Sequence, residues 1–283
     1  NIRVEFFGKS SHSGMAPWLG RSASHATEIF LHGVNAMREQ LLPESRVHYL
    51  IETSGSAVNV VSEYAKINII YRGPSAENVA RHMEWISDIA KGAALATQTT
   101  SKVIELAGCY DLLPNQTMSD RMMQHLYTLG TPEWTNEEHE FAKKMQKVAA
   151  YAEDGLASKI TPDPKGISIG GASDVGDISY ITPTMGAIVS CWPLGFAPHT
   201  WAATACNGMS IGRKGMMRAA EVLAMTGIDL ITDINFLNEA KAEFIKRTGG
   251  KKYKSLCQTG VPPLAAEHQH HIDTHDAVHY FNN

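Results

Sequence analysis

Several things are scarce in this chain of 283 residues. Neither sign of charge dominates: 25 Lys and Arg face 29 Asp and Glu, for a formal charge of -4. A chain so near neutrality has no electrostatic footprint for nucleic acid, and none is expected as a partner. No apolar run approaches the ~20 residues of a spanning helix, so no membrane partner is expected. Cysteine is limited to Cys109, Cys191, Cys206 and Cys257, scattered and without a C-x-x-C pair. That usage fits buried thiols in a reducing, cytoplasmic setting better than a disulfide framework. The G-x-x-x-x-G-K-[ST] and H-E-x-x-H patterns are also missing, which removes the motif basis for a phosphate loop or a helical zinc site. What remains is an ordinary globular mix, 43% apolar and 19% charged, long enough for about two domains.

Two hydrophobic periods alternate in the first part. Val4 and Phe6 share one face of a strand over residues 2–7. Ala26, Ile29, Phe30, Val34, Met37 and Leu41 then form a helical stripe, with Ser22 available as N-cap and Pro43 as stop. Val47, Tyr49 and Ile51 alternate again, and Ile67, Ile69 and Tyr71 make a third strand. Val79, Met83, Ile86, Ala90 and Ala93 form a second helical stripe before a last strand over 102–107. The order β-α-β-β-α-β predicts a ferredoxin-like α/β domain whose helices cover one sheet face and leave the other open. After residue 110 the texture changes. Helices are expected over 118–129, 136–150, 201–226 and 234–246, with short strands over 178–181 and 185–191. So few strands for so many helices reads as half of a domain. The chain also opens at Asn1 inside a strand, as though cut.

Candidate chemistry is sparse, and each feature has an ordinary alternative. His12, in the Ser/Gly loop after the first strand, can donate to developing negative charge, or it can be a plain exposed loop histidine. Asn59 follows the Ser54–Ser56 turn. Arg72 ends a strand in opposite phase to Ile67, Ile69 and Tyr71, on the uncovered face, where its fork suits a carboxylate or simply meets water. The run from Gly170 to Asp177 is a weak phosphate-loop candidate; a tight turn with Ser173 or Asp174 capping a helix accounts for it better. His199 stands between a Pro/Gly loop and a helix start, one imidazole where a catalytic metal needs about three protein ligands. The tail concentrates His268, His270, His271, His275 and His279, a composition that can bind metal yet fixes no geometry.

Taken together, the stretches Phe6–Ala23 (with Gly8-Lys-Ser-Ser-His12-Ser-Gly and Pro17-Trp-Leu-Gly20-Arg-Ser-Ala), Asn59-Val-Val-Ser, Tyr71-Arg72-Gly-Pro, Tyr110-Asp-Leu-Leu-Pro-Asn115, Ser173-Asp-Val-Gly-Asp177 and His199-Thr-Trp201 resemble one family. It is that of the two-metal amidohydrolases and peptidases, which includes aminoacylase-1, carboxypeptidase G and succinyl-diaminopimelate desuccinylase. The likeness runs from residue 1 to about 260. It implies that residues 1–110 are a lid and dimerisation domain, and residues 111–283 the C-terminal part of a discontinuous zinc-peptidase-like catalytic domain. It implies a metal-dependent amidohydrolase that cleaves an N-acyl amino acid or dipeptide, p-aminobenzoyl-glutamate among them.

Carried over by position, His12 is the catalytic histidine that polarises the scissile carbonyl in the other protomer's site. Asn59 and Arg72 bind substrate, Arg72 taking the carboxylate, and His199 is a metal ligand. Asp174 and Asp177 orient their loop. Two divalent ions, Zn2+ or Mn2+, are implied as cofactors, with most ligands and the general-base glutamate expected upstream of residue 1. The chain by itself is therefore expected to be inactive. The lid implies a homodimer, or a heterodimer with a related subunit. The alternative is a non-catalytic dimerisation subunit that binds a related catalytic chain.

Overall fold

The computed structural model describes residues 1–162 and 173–256. The Gly170–Gly171 pair, Cys257 and the histidine-rich tail lie outside the described residues. The chain divides into two compact units, the first built on residues 1–111 together with 173–177 and 254–256, the second on residues 112–162 and 178–253.

The first unit has the element order β1 (Ile2–Phe7), α1 (Ala23–Arg38), β2 (Arg46–Thr53), β3 (Tyr64–Arg72), α2 (Ala76–Thr97) and β4 (Thr100–Glu105). Its strands form one antiparallel sheet in the order β2-β3-β1-β4, the ferredoxin-like arrangement expected from the periodicities. β3 alternates along its whole length: Ala65, Ile67, Ile69 and Tyr71 are buried while their neighbours are less so. Register brings Val4 opposite Ile67 and Phe6 opposite Ala65, so the apolar faces of the two strands coincide. α1 and α2 close over that face with Phe30, Val34, Ile86 and Ala90, all fully buried. Phe6 and Phe30 meet edge to face at 5.8 Å, a favoured aromatic geometry.

Local signals set the ends of the helices. The Ser22 hydroxyl accepts from the His25 N–H at the start of α1, and Ser75 does the same for Asn78 at the start of α2. α1 stops at Arg38, short of the expected Pro43, because the chain tightens into turns over Glu39–Leu41. On the face without helices, β1 is more buried than its alternation implies: Arg3 and Glu5 are buried as well. Glu5 accepts from the Tyr64 hydroxyl at 2.9 Å, and Glu52 pairs with Lys66 at 3.0 Å.

The second unit is helical among its described residues. α3 (Gln116–Leu129), α4 (Asn136–Val148), α6 (Trp201–Asn207), α7 (Ser210–Thr232) and α8 (Ile234–Thr248) pack through several small apolar clusters. The capping box expected at Thr135 is formed with Glu138. The short strands expected over 178–181 and 185–191 are not formed. Residues 175–179 make a short helix, α5 (Val175–Ser179). Residues 185–191 belong to no strand, and Ile188 is 81% exposed; a strand needs a ladder partner, and no described residue supplies one. The single helix expected over 201–226 is two, broken at Gly208 and Met209. The turn is so tight that a Cβ on Gly212 would collide with the Asn207 carbonyl oxygen.

Candidate functional site

The loop that carries His12 is closed at its base by a two-way backbone bridge between Lys9 and Arg21, at 2.8 and 2.9 Å. Gly8 permits this, since a Cβ there would collide with the Arg21 carbonyl. Farther along, the Val61 N–H donates to the Ser11 carbonyl at 2.9 Å and the Ser13 N–H to the Asn59 carbonyl at 3.0 Å. His12 pairs with Val60 across the same ladder. The loop and the segment after the Ser54–Ser56 turn are thereby stitched together, and His12 and Asn59 are neighbours. Both are exposed.

The His12 ring has a defined polarity. Its Nδ1 accepts the backbone N–H groups of Gly14 and Met15, each at 3.2 Å. An Nδ1 that accepts carries no proton, so the neutral ring bears its hydrogen on Nε2, which faces away from those amides. The imidazole is thus set up as a hydrogen-bond donor.

Arg72 lies elsewhere in the same sheet. It ends β3 opposite Arg46, whereas the His12 loop leaves β1 at Phe7, opposite Tyr64. Arg72 lies eight residue steps along the strand from Tyr64, about 26 Å at ~3.3 Å per residue. One sheet unit therefore brings His12 and Asn59 together and holds Arg72 at its opposite end. As expected from its phase, Arg72 is on the helix-free face, partly exposed.

A feature the motifs did not reveal adjoins His12. A cleft of about 720 Å³ runs beside Ser13, lined by Ser22, Ser24, His25, Ser54 and Ser56 among others. The Ser54 hydroxyl donates to Ser24 at 3.0 Å. The serine-rich runs at 10–13 and 54–56 were its only sequence signal.

In the second unit His199 is exposed and occupies the left-handed region at φ 62°. Thr200 follows it and caps α6, accepting from the Ala203 N–H at 3.2 Å. Among the described residues no group of three or more His, Cys, Asp or Glu side chains is gathered as a metal site. An accessible imidazole is chemically suited to be one ligand, where a catalytic metal needs about three protein donors. Ser173 accepts from the Val175 N–H at 3.3 Å, a turn-capping contact. Burial pushes the Cys191 and Cys206 thiols up, so they stay protonated.

An ionic cluster in this unit was also invisible in the sequence. Arg121 donates to Asp229 at 2.7 Å and to Asp233 at 3.1 Å, and the His125 Nε2 lies 2.9 Å from the same Asp229 oxygen. The Arg121 guanidinium holds the Asp229 carboxyl below its usual range against the effect of burial. Asp233 is lowered first by the Phe236 N–H that it caps, then by Arg121. For Glu138 burial alone would raise the carboxyl, but bonds from Lys214, Ser210 and the Thr135 N–H outweigh it and the net shift is downward.

Comparison with known proteins gives a consistent picture. Residues 1–98 match the peptidase dimerisation domain. One of the subunits of p-aminobenzoyl-glutamate hydrolase from Escherichia coli is 33% identical to this chain, over 91% of it and 59% of its own length. The Xaa-Arg dipeptidase of Mus musculus is 26% identical over 86% of the chain and 51% of its own length. The chain thus spans between half and three-fifths of these curated relatives. Among solved structures, an aminobenzoyl-glutamate utilization protein from Klebsiella pneumoniae aligns with 46% of this chain and 33% of its own at 22% identity, with a TM-score of 0.38. Residues 1–98 thus match a peptidase dimerisation domain, and the chain as a whole is similar to an amidohydrolase subunit and to dipeptidases.

Proposed function

We propose that this chain serves a metal-dependent amidohydrolase that cleaves the amide bond of an N-acyl amino acid or dipeptide, with p-aminobenzoyl-glutamate or a close analogue as substrate. The observation that carries this reading is the His12 ring, whose Nδ1 is occupied by two backbone amides so that Nε2–H is left to donate. A donor aimed at a carbonyl oxygen strengthens its bond as negative charge develops there, which is the requirement for lowering an acyl-transfer barrier. Asn59 stands next to it and adds a second polar side chain to the same end of the sheet. Arg72 takes the substrate carboxylate in a bidentate contact, which orients the amide and selects acyl amino acids over simple amides.

Residues 1–110 act as the lid and residues 111–283 contribute the C-terminal part of the catalytic domain. Peptidases of this family are metal-dependent. Two divalent ions, Zn2+ or Mn2+, would supply an activated water when bound, and His199 is the residue of this chain that would hold one of them. The inert, buried thiol of Cys206 suits a cytoplasmic protein.

The separation of Arg72 from His12 is resolved by dimerisation. Of the two sheet edges among the described residues, β2 is the longer, and it presents Leu50 at 65% and Ile51 at 44% exposure. An apolar edge strand of this kind is a template for pairing with another chain. Two copies related by a two-fold axis at β2 run antiparallel, so the partner's sheet is reversed. The Arg72 end of one lid then comes beside the His12 end of the other, and each site draws on both protomers.

The test is an assay of the full-length gene product, loaded with zinc or manganese, on p-aminobenzoyl-glutamate and on Xaa-Arg dipeptides. Metal-dependent release of the amino acid is expected. Absence of turnover on every acyl amino acid, together with binding of a related chain, would instead identify a dimerisation subunit.

A further inference from the structure

Gln146 in α4 is completely buried, and its amide is fully used. Oε1 accepts the Gly155 N–H at 2.8 Å, while Nε2 donates to the Leu194 carbonyl at 2.9 Å and reaches the Gly155 carbonyl at 3.4 Å. The Leu194 N–H donates to that same Gly155 carbonyl at 2.9 Å. One side chain therefore ties two loops to each other and to a helix. Gly155 accepts this role at φ 72°, a conformation that favours glycine.

The second of those loops leads to His199. Two residues after Leu194, Phe196 is buried against Ala202 and Cys206, with its ring 4.9 Å from that of Tyr151. One residue beyond His199, the Thr200 hydroxyl donates to the Ala197 carbonyl at 3.0 Å and caps α6. The segment from Leu194 to Thr200 is thus held at its start, middle and end. Within it His199 is exposed, at a positive φ that a non-glycine residue holds where the surroundings over-determine it. An apolar residue would fill the Gln146 site at a lower desolvation cost. A fully satisfied amide instead specifies one loop geometry.

We propose that Gln146 is a positioning residue for His199: it fixes the 194–199 backbone, and with it the direction of the imidazole, without touching metal or substrate. Its use in catalysis rests on the reading of His199 as a metal ligand.

The experiment compares Gln146→Met and Gln146→Glu in the full-length protein, with Val222→Ala as a control. Val222 is buried in a separate cluster with Met122 and Leu126, so its truncation destabilises the same unit elsewhere. The primary readout is the ring-nitrogen NMR signal of His199; the second is zinc affinity by competition with a chelator. Gln146→Met should shift or broaden the His199 signal and weaken zinc binding ~10–100-fold, the range for lost supporting contacts around a ligand. Val222→Ala should change neither. Gln146→Glu keeps the acceptor for Gly155 but loses the Nε2 donors, so it should disturb His199 while the Gly155 amide stays protected from exchange.

An unmoved His199 signal in both Gln146 variants, or an equal change in Val222→Ala, overturns the positioning role. If neither Gln146 variant folds, wild-type amide exchange decides: Gly155 should be as protected as the interior of α4, and rapid exchange there overturns the proposal. His199→Ala separates the two ideas. If it leaves zinc affinity unchanged the ligand reading fails, while the ring signal and the exchange data still judge Gln146.

Discussion

The backbone N–H of Met15 donates to Nδ1 of His12 at 3.2 Å, and so fixes which ring nitrogen is left to donate. The Gly14 amide repeats the contact, so the tautomer is set by the loop's own backbone and needs no acidic partner. His12→Ala in the full-length enzyme should therefore lower kcat on acyl amino acids by ~10²–10³ and leave KM little changed, the signature of a lost oxyanion donor. Steady-state kinetics with metal saturating checks this; a rise in KM at constant kcat would assign His12 to ground-state binding instead.

Arg72 should discriminate among substrates. Arg72→Ala is expected to cost most on substrates with a free carboxylate and little on the matching amide or ester, because only the former accepts a bidentate fork. Equal losses on both, measured as kcat/KM, would remove the carboxylate role.

The β2 edge makes a prediction about assembly. Leu50→Lys combined with Ile51→Lys places charge on the exposed edge without touching the buried face of β3. Sedimentation should show the dimer shifted to monomer while the circular dichroism spectrum is retained. An unchanged dimer would point to a different interface.

Acid should weaken the helical unit through Asp229. Its folded pKa lies below the ordinary ~3.9 because of Arg121. The stabilisation is complete above the unfolded value and is lost as pH falls through the folded one. Thermal melts from pH 7 to pH 2 should show this component disappearing below pH ~4. Arg121→Met should lower Tm at pH 7 and flatten the acid limb; an identical acid limb in the variant would contradict the assignment.

Much of the sheet unit was legible because its elements are amphipathic in their own right. The alternation of Ala65, Ile67, Ile69 and Tyr71 and the stripe through Phe30 and Val34 each name their period, and Ser22 marks its helix start. The second unit was harder. Ile188 and its neighbours carry strand-like composition, yet strand formation depends on a ladder partner that local sequence does not encode. The candidate residues were found through motif resemblance, and what the motifs hid was long-range. That Arg72 and His12 sit at opposite ends of one sheet follows from register. The tie from Gln146 to the His199 loop joins residues 48 apart in sequence.

The central claim is that one active site takes His12 from one protomer and Arg72 from the other, and complementation between protomers tests it most directly. His12→Ala and Arg72→Ala versions of the full-length enzyme, each impaired alone, are unfolded to monomers, mixed in equal amounts and allowed to reassociate. Each hybrid dimer then contains one site with both native residues, so the mixture should recover about a quarter of wild-type turnover. If the two residues served the same site from one protomer, every site in every hybrid would carry one lesion, and recovery no greater than the average of the two parents would contradict the account.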